Sequence, residues 1–434
     1  MLILNRIKQN IHPIELANYC LMAYAFILPL SPKIASKILI LIAVCLLFYP
    51  QVKDRFLVLI KNKIIQSFFI MLSIYALWAL GSDHLDTALF AINKLYKLIF
   101  TLIILALSVQ KKYAYKIILC FISALFFSEI LSLMLHFHLA ERILWLFIEK
   151  RLDNVPFMMN YTQYTTILSI AISFVLYQLL KNQVNSIFKK VIYGIFILSS
   201  SINLFILSSG TGYLLFFLSN ITVLILVYKH HILKLFLTIT LIFPFVYWIG
   251  INYSPIFQQK STQIISDIKN FTYHNNFSTS QGVRLGYIFY SVDILKENFI
   301  LGLGTGDHID AVRKNILGNE TNTKNKVALL ENIPYSHGST LHNQFLDLLL
   351  QFGIIGLIVF LNIFYQIQKA HPIQKFLKPL PYLLVVNILI ASFANPLFIY
   401  GDVERIFVLL VALLIPPFEQ TILEEQEHKK SYAI

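Results

Sequence analysis

Residues 115–136 read YKIILCFISALFFSEILSLMLH, an apolar run broken by one basic residue near its start, Lys116, and one acid, Glu129. As a helix it rises about 1.5 Å per residue, enough for roughly the 30 Å hydrocarbon layer of a bilayer. Such a run predicts a membrane-spanning helix, and the rest of the chain repeats it. Of 434 residues, 57% are hydrophobic and only 13% are Asp, Glu, Lys or Arg. A soluble domain carries about 25% charged residues, because its surface needs polar cover. The composition therefore excludes a soluble globular protein, a disordered chain, a collagen and a small disulfide scaffold, and leaves a polytopic membrane protein.

Twelve runs meet the same yardstick, at about 14–30, 34–50, 64–81, 95–110, 115–136, 161–180, 189–208, 211–228, 232–250, 343–365, 379–399 and 403–419. The predicted class is all-α, with some twelve transmembrane helices. The first run is followed by Pro29 and a second span, not by a small-residue cleavage site, so it does not read as a signal peptide. The net charge is +13, with 35 Lys and Arg against 22 Asp and Glu. In a membrane protein the placement of cations reports topology before it reports nucleic acid. Nineteen fall in the loops that an even number of spans puts with the two termini, and eight on the other side: Lys33, Lys37, Lys94, Lys97, Arg142, Lys150, Arg151 and Arg405. That bias predicts cytoplasmic termini. Cys20, Cys45 and Cys120 lie in apolar runs without metal-ligand spacing and read as packing residues.

The expected organisation is nine spans over 1–250, one large loop over 251–342 outside the cytoplasm, three spans over 343–420 and a polar cytoplasmic tail over 421–434. Every other loop is short. The large one is rich in Asn, Ser, Thr and Gly, with helix-like pieces near 255–269 and 283–298. A long loop on a rigid scaffold is where function concentrates. Within it Arg284 opens a helical piece after Ser278-Thr279-Ser280, a setting that suits a phosphate; the plain alternative is an arginine that only solvates the loop or touches headgroups. Residues 297–306 read ENFILGLGTG. This glycine-rich turn could cradle phosphate through its N–H groups, Gly304 among them, although it lacks the Gly-Lys-Ser/Thr of a nucleotide loop and follows a helix rather than a strand. Read alone, it is a tight turn against the membrane surface. His342 sits where the loop re-enters the membrane and is either a general base for a sugar hydroxyl or an interfacial histidine satisfied by backbone. Gly353 and Gly356, three apart, predict close helix packing near it. His337 and His342 do not make a metal pair, and Asp267, Asp293, Asp307 and Asp310 are scattered.

These pieces, in this order, resemble the O-antigen ligase superfamily of membrane glycosyltransferases that use undecaprenyl-diphosphate-linked glycans. The family signature is His, then Asn, Ser or Gln, nine residues, Gly, two residues, and Gly, Thr or Tyr; His342-Asn343, Gly353 and Gly356 match it in full. Arg284 with Tyr287 resembles the family's loop arginine and its helix. Residues 297–306 resemble its Gly-rich stretch, with Phe299 where proline is usual. The detailed likeness covers about 282–356. One departure stands out: Ser209-Gly210-Thr211-Gly212-Tyr213 places Gly210 where members often carry a second arginine. Lys260, Arg142, Arg151 or Arg405 could supply that cation.

The resemblance implies an O-antigen ligase of the bacterial inner membrane, moving a glycan from undecaprenyl diphosphate to lipid A-core at the periplasmic face, with inversion at the anomeric carbon. Catalytic roles fall to His342 and Arg284. Substrate contacts fall to Arg284, Asn343, Lys260, Gly304 and Tyr287. The implied partners are the donor, the acceptor and membrane lipids, without nucleic acid, nucleotide cofactor or metal. An O-antigen polymerase or a protein O-oligosaccharyltransferase shares the donor and much of the motif. A transporter of lipid-linked sugars is the alternative of another class; it would place ionisable residues at mid-bilayer and show internal repeats. Glu129 is the clearest acid inside a span, readable also as a structural hydrogen bond between helices, and no repeat is visible.

Overall fold

The computed structural model describes residues 12–137, 139, 161–183, 186–334, 336, 338–372, 374–396 and 401–417. Arg142 and Arg151, His337 and the tail from 418 onward lie outside these residues. The described residues are helical, with no strand. In lipid the backbone must satisfy its own hydrogen bonds, and helices do so within each segment.

The helices are α1 (Pro13–Ile27), α2 (Pro32–Leu47), α3 (Val52–Leu59), α4 (Lys63–Ala79), α5 (Leu85–Ser108), α6 (Ala114–His136), α7 (Tyr161–Leu180), α8 (Ile187–Ile206), α9 (Gly210–Tyr228), α10 (Ile232–Tyr253), α11 (Pro255–His274), α12 (Ser280–Asn298), α13 (His308–Asn319), α14 (Thr323–Glu331), α15 (Gln344–Gln368), α16 (Leu380–Ser392) and α17 (Gly401–Ala412). Their starts are written locally. Pro13, Pro32 and Pro255 occupy first turns, and the Ser31, Asn62, Ser209, Ser254 and Thr279 side chains accept from first-turn N–H groups.

A helix stands at each of the twelve apolar runs, but the count of spans comes out smaller. Among the described residues eight helices are long and apolar enough to cross a membrane, or nine if α2 and α3, bent by 112°, form one span. α1, α4 and α17 have 15, 17 and 12 residues, about 18–26 Å of rise, short of a full hydrocarbon layer. The protein is an all-helical, multi-pass membrane protein. α10 shows why only lipid suits the outside: Gly250 is its one buried residue, while Phe236, Leu241, Phe245 and Trp248 are exposed.

The bundle shares one apolar core. α1 packs on α2 and α6, α4 on α5 and α15, α5 on α17, and α7 on α8, α9 and α16. Residues 255–341 are not a loose loop. They form α11 to α14 around a second core of Phe277, Val283, Tyr287, Tyr290, Val312, Ile316 and Leu329, closed by Leu346 and Leu350 of α15. Two of these helices, α13 and α14, go beyond the two pieces read from the sequence. They are short and polar, and the helical spacing of Ile309, Val312 and Ile316 carries meaning only against a partner.

Candidate active site

The site begins with a break in α15. Gly353 adopts φ 60°, ψ −159°, a conformation open essentially to glycine alone. The 297–306 turn docks into the break. Leu303 N–H donates to Leu350 O at 2.8 Å, Gly304 N–H to Gln351 O at 3.0 Å, Gly306 N–H to Gln351 Oε1 at 3.0 Å, and Ile354 N–H to Phe299 O at 2.9 Å. Gly302, Gly304 and Gly306 all have positive φ. A Cβ on Gly353 would run into the Ile300 carbonyl, and one on Gly302 into that of Gln351. So Gly353 serves the close approach of a turn, where the sequence suggested helix against helix. The sequence offered this turn as a phosphate cradle, but its N–H groups at 303, 304 and 306 hold α15.

The same turn is fastened to the bundle. Trp78 Nε1 donates to Leu301 O at 2.5 Å, Thr305 Oγ1 to Tyr75 O at 2.8 Å, and Ser82 Oγ to Thr305 O at 2.9 Å. Asp307 accepts from Ser82 Oγ and from the N–H groups of Asp83 and His84. Asp310 faces Lys314 and His84. These acids hold the unit of α11 to α14 to the bundle; among the described residues no three His, Cys, Asp or Glu side chains gather to hold a metal ion.

His342 stands just before α15 at φ 55°, an uncommon backbone for a residue with a side chain. It is clamped from both sides. Asn343 caps α15, accepting from Phe345 N–H at 3.0 Å and Leu346 N–H at 3.2 Å. On the other side Leu341 N–H donates to Asp347 Oδ1 at 3.0 Å. Asp347 is fully buried and lies 3.3 Å from Nε2 of buried His308, too poorly aligned for a hydrogen bond. Tyr287 lies alongside His342, ring centroids 6.5 Å apart and 21° from parallel. Its hydroxyl donates to Leu329 O at 2.8 Å, and the residue has no exposed surface. Tyr287 therefore props His342 from below. Asp347 and His308 went unread in the sequence; the acid in the first turn of α15 was the available signal.

Arg284 belongs to the first turns of α12. Its Nη1 donates to Ser280 O at 3.2 Å and Ser280 Oγ at 3.3 Å, while its buried Nε has no partner among the described residues. Burial pulls the Arg284 guanidinium down from its ordinary value, and Tyr161 opposes that. Lys260 on α11 donates to Gln263 Oε1 at 3.2 Å. Its ammonium is pulled down first by burial, then by Arg284, against Asp267. His342 is pulled down in the same order, by burial and then Arg284, against Asp347. Arg284 thus acts electrostatically on both Lys260 and His342, each of them partly buried.

Gly210 bears on the missing arginine. A Cβ built there would lie 2.9 Å from Ile264 Cδ1 and 3.9 Å from Lys260 Cε. α11 covers the spot, and the Lys260 side chain passes where a side chain from 210 would begin. Arg405 is elsewhere, bonded to α2.

Fold and site define a multi-pass helical membrane protein that holds a cationic centre on a helical unit at one end of its bundle. Residues 194–361 match the family model Wzy_C, O-antigen ligase, so this segment is similar to that family. The match runs from α8 into α15 and contains Lys260, Arg284, His342 and the Gly353 break. No curated protein matches the chain.

Proposed function

We propose that the chain is an O-antigen ligase, transferring a glycan from undecaprenyl diphosphate to lipid A-core at the periplasmic face of the bacterial inner membrane. In this reading the short helices complete a twelve-span frame with both termini in the cytoplasm. The observation that carries the reading is the meeting of Arg284, Lys260 and His342. Partly buried cations, one of them an arginine whose Nε has no partner among the described residues, suit an anion, and a diphosphate leaving group is one.

The acceptor hydroxyl oxygen attacks the anomeric carbon, and the bond from that carbon to the diphosphate oxygen breaks. The electron pair leaves with the diphosphate. Arg284, with its fork and unpartnered Nε, and Lys260, in place of the usual second arginine, meet the growing charge. His342 takes the hydroxyl proton. Its lowered pKa keeps the imidazole neutral near neutral pH, the form a base needs. Attack opposite the diphosphate inverts the anomeric centre. Asn343, Tyr287 and Gly304 hold the base and its helix in place instead of the glycan.

Glu129 weighs against a transporter. It accepts from Ser199 Oγ at 2.5 Å and from Ser200 Oγ, so it ties α6 to α8 as a structural acid. The test is a lipopolysaccharide profile of a deletion strain. A ligase leaves lipid-linked O-antigen that never caps the core. Core carrying a single repeat unit would indicate a polymerase instead, and unchanged lipopolysaccharide with unglycosylated protein would indicate a protein transferase.

A further inference from the structure

Away from the long segment, α1, α2, α5 and α17 enclose a cavity of about 320 Å3. Its polar wall is Tyr24, Ser36, Lys94, Lys97, Glu404 and Arg405. None of these residues lies in the stretch matched by the family model. Three cations face one carboxylate. Arg405 is held in place, its Nη1 donating to Pro32 O and Ser36 Oγ, both at 3.1 Å. Lys94 and Lys97, three apart, share one face of α5, and neither forms an ion pair among the described residues. Lys94 Nζ rests 5.4 Å from the centroid of the Phe90 ring. Tyr24 is 1% exposed, and its hydroxyl has no hydrogen-bond partner among the described residues. A buried hydroxyl left without a partner calls for a reason, and a ligand filling the cavity supplies one.

The depth of the cavity narrows the ligand. Tyr24, Ser36 and Arg405 each lie about one turn inside the ends of α1, α2 and α17. α5 starts farther out, so Lys97 is about 18 Å along it from Leu85. Lys97 and Phe100 are exposed there, on the flank of α5 and not at its tip. Exposed side chains of α5 thus rim the cavity at the side of the bundle. Ionisable side chains inside a helical bundle are costly and mark sites, and basic pockets between spanning helices take anionic headgroups.

We propose that this cavity binds the phosphate of one anionic lipid. Lys94, Lys97 and Arg405 neutralise it, and the Tyr24 hydroxyl donates to a phosphate oxygen. Arg405 also fastens α17 to α2, so the lysines are the safer residues to change.

The test is native mass spectrometry of the full chain in detergent, titrated with phosphatidylglycerol or phosphatidylcholine. The wild type should retain phosphatidylglycerol roughly tenfold better, the size expected of several cations near a headgroup. Lys94→Gln/Lys97→Gln should lose that preference with its lipid-free unfolding temperature unchanged, and Lys94→Arg/Lys97→Arg should keep it. Arg284→Gln/Lys260→Gln should also keep it, which separates this site from the glycan site. Equal retention of the two lipids by the wild type would overturn the proposal, as would a preference that survives Lys94→Gln/Lys97→Gln. Displacement of the lipid by low-millimolar inorganic phosphate would move the site to a soluble oxyanion and overturn the lipid reading.

Discussion

The protein has two cationic places, and they are built in opposite ways. Lys260, Arg284 and His342 come from one stretch of chain, folded as a small unit with its own core and fastened to the bundle through the 297–306 turn. Lys94, Lys97 and Arg405 come from helices far apart in sequence and meet only because α5 packs on α17. The first holds a histidine beside its cations, in a strained backbone between two clamps, while the second holds a lone buried hydroxyl. A neutral base beside cations can move a proton as a leaving group departs; in the second place three cations outnumber the one carboxylate, Glu404, and suit an anion. On the two proposals made above, the difference separates reaction from recognition.

Removing the base should have the largest effect. His342→Ala should lower glycan transfer by about 10²–10⁴-fold, the usual worth of a general base, with membrane abundance unchanged. Full activity in a transfer assay would make the first place a binding site like the second. Next comes the support. Gly353→Ala forces a side chain into the Ile300 carbonyl and into a glycine-only conformation, a backbone cost of about 1–3 kcal/mol before any clash. Thermal unfolding in detergent should show the loss; an unshifted midpoint would mean that the turn does not brace α15.

Arg284→Lys keeps the charge but loses the fork, and transfer should fall by about tenfold. Equal rates would remove the case for two-pronged diphosphate recognition. The smallest effect is on pH dependence. His342 must be neutral to act, so activity is present above its pKa and lost as pH falls through it. Because that pKa is lowered, the acid limb of kcat/KM should lie below the ordinary histidine value of about 6.5. Removing a depressing charge with Arg284→Gln should move the limb upward, measured on residual activity. A limb that stays put would mean that Arg284 and His342 do not share the site.

What the sequence could tell follows from the same contrast. The apolar runs are legible because they declare themselves, and His342, Asn343, Gly353 and Gly356 because they stand at a fixed short spacing. The place of Lys260 beside Gly210 is not, since it depends on how α11 lies over the start of α9. Asp347 carries no such signal, because its part, holding Leu341 N–H next to His342, exists only once the chain turns into α15. Tyr287 and Gly304 were seen, but their surroundings decide that a hydroxyl and an N–H are already engaged. The cavity of Tyr24, Lys94, Lys97 and Arg405 has no local pattern at all, and its lysines counted only as topology.

The central claim is that the Arg284–Lys260–His342 centre transfers glycan to lipid A-core. The direct measurement reconstitutes the purified chain with undecaprenyl-diphosphate-linked glycan and lipid A-core, and follows both products. Capped lipid A-core should appear together with released undecaprenyl diphosphate, and neither should appear with His342→Ala. Capping by His342→Ala at the wild-type rate, or glycan joined to a second lipid-linked glycan in place of lipid A-core, would contradict that claim.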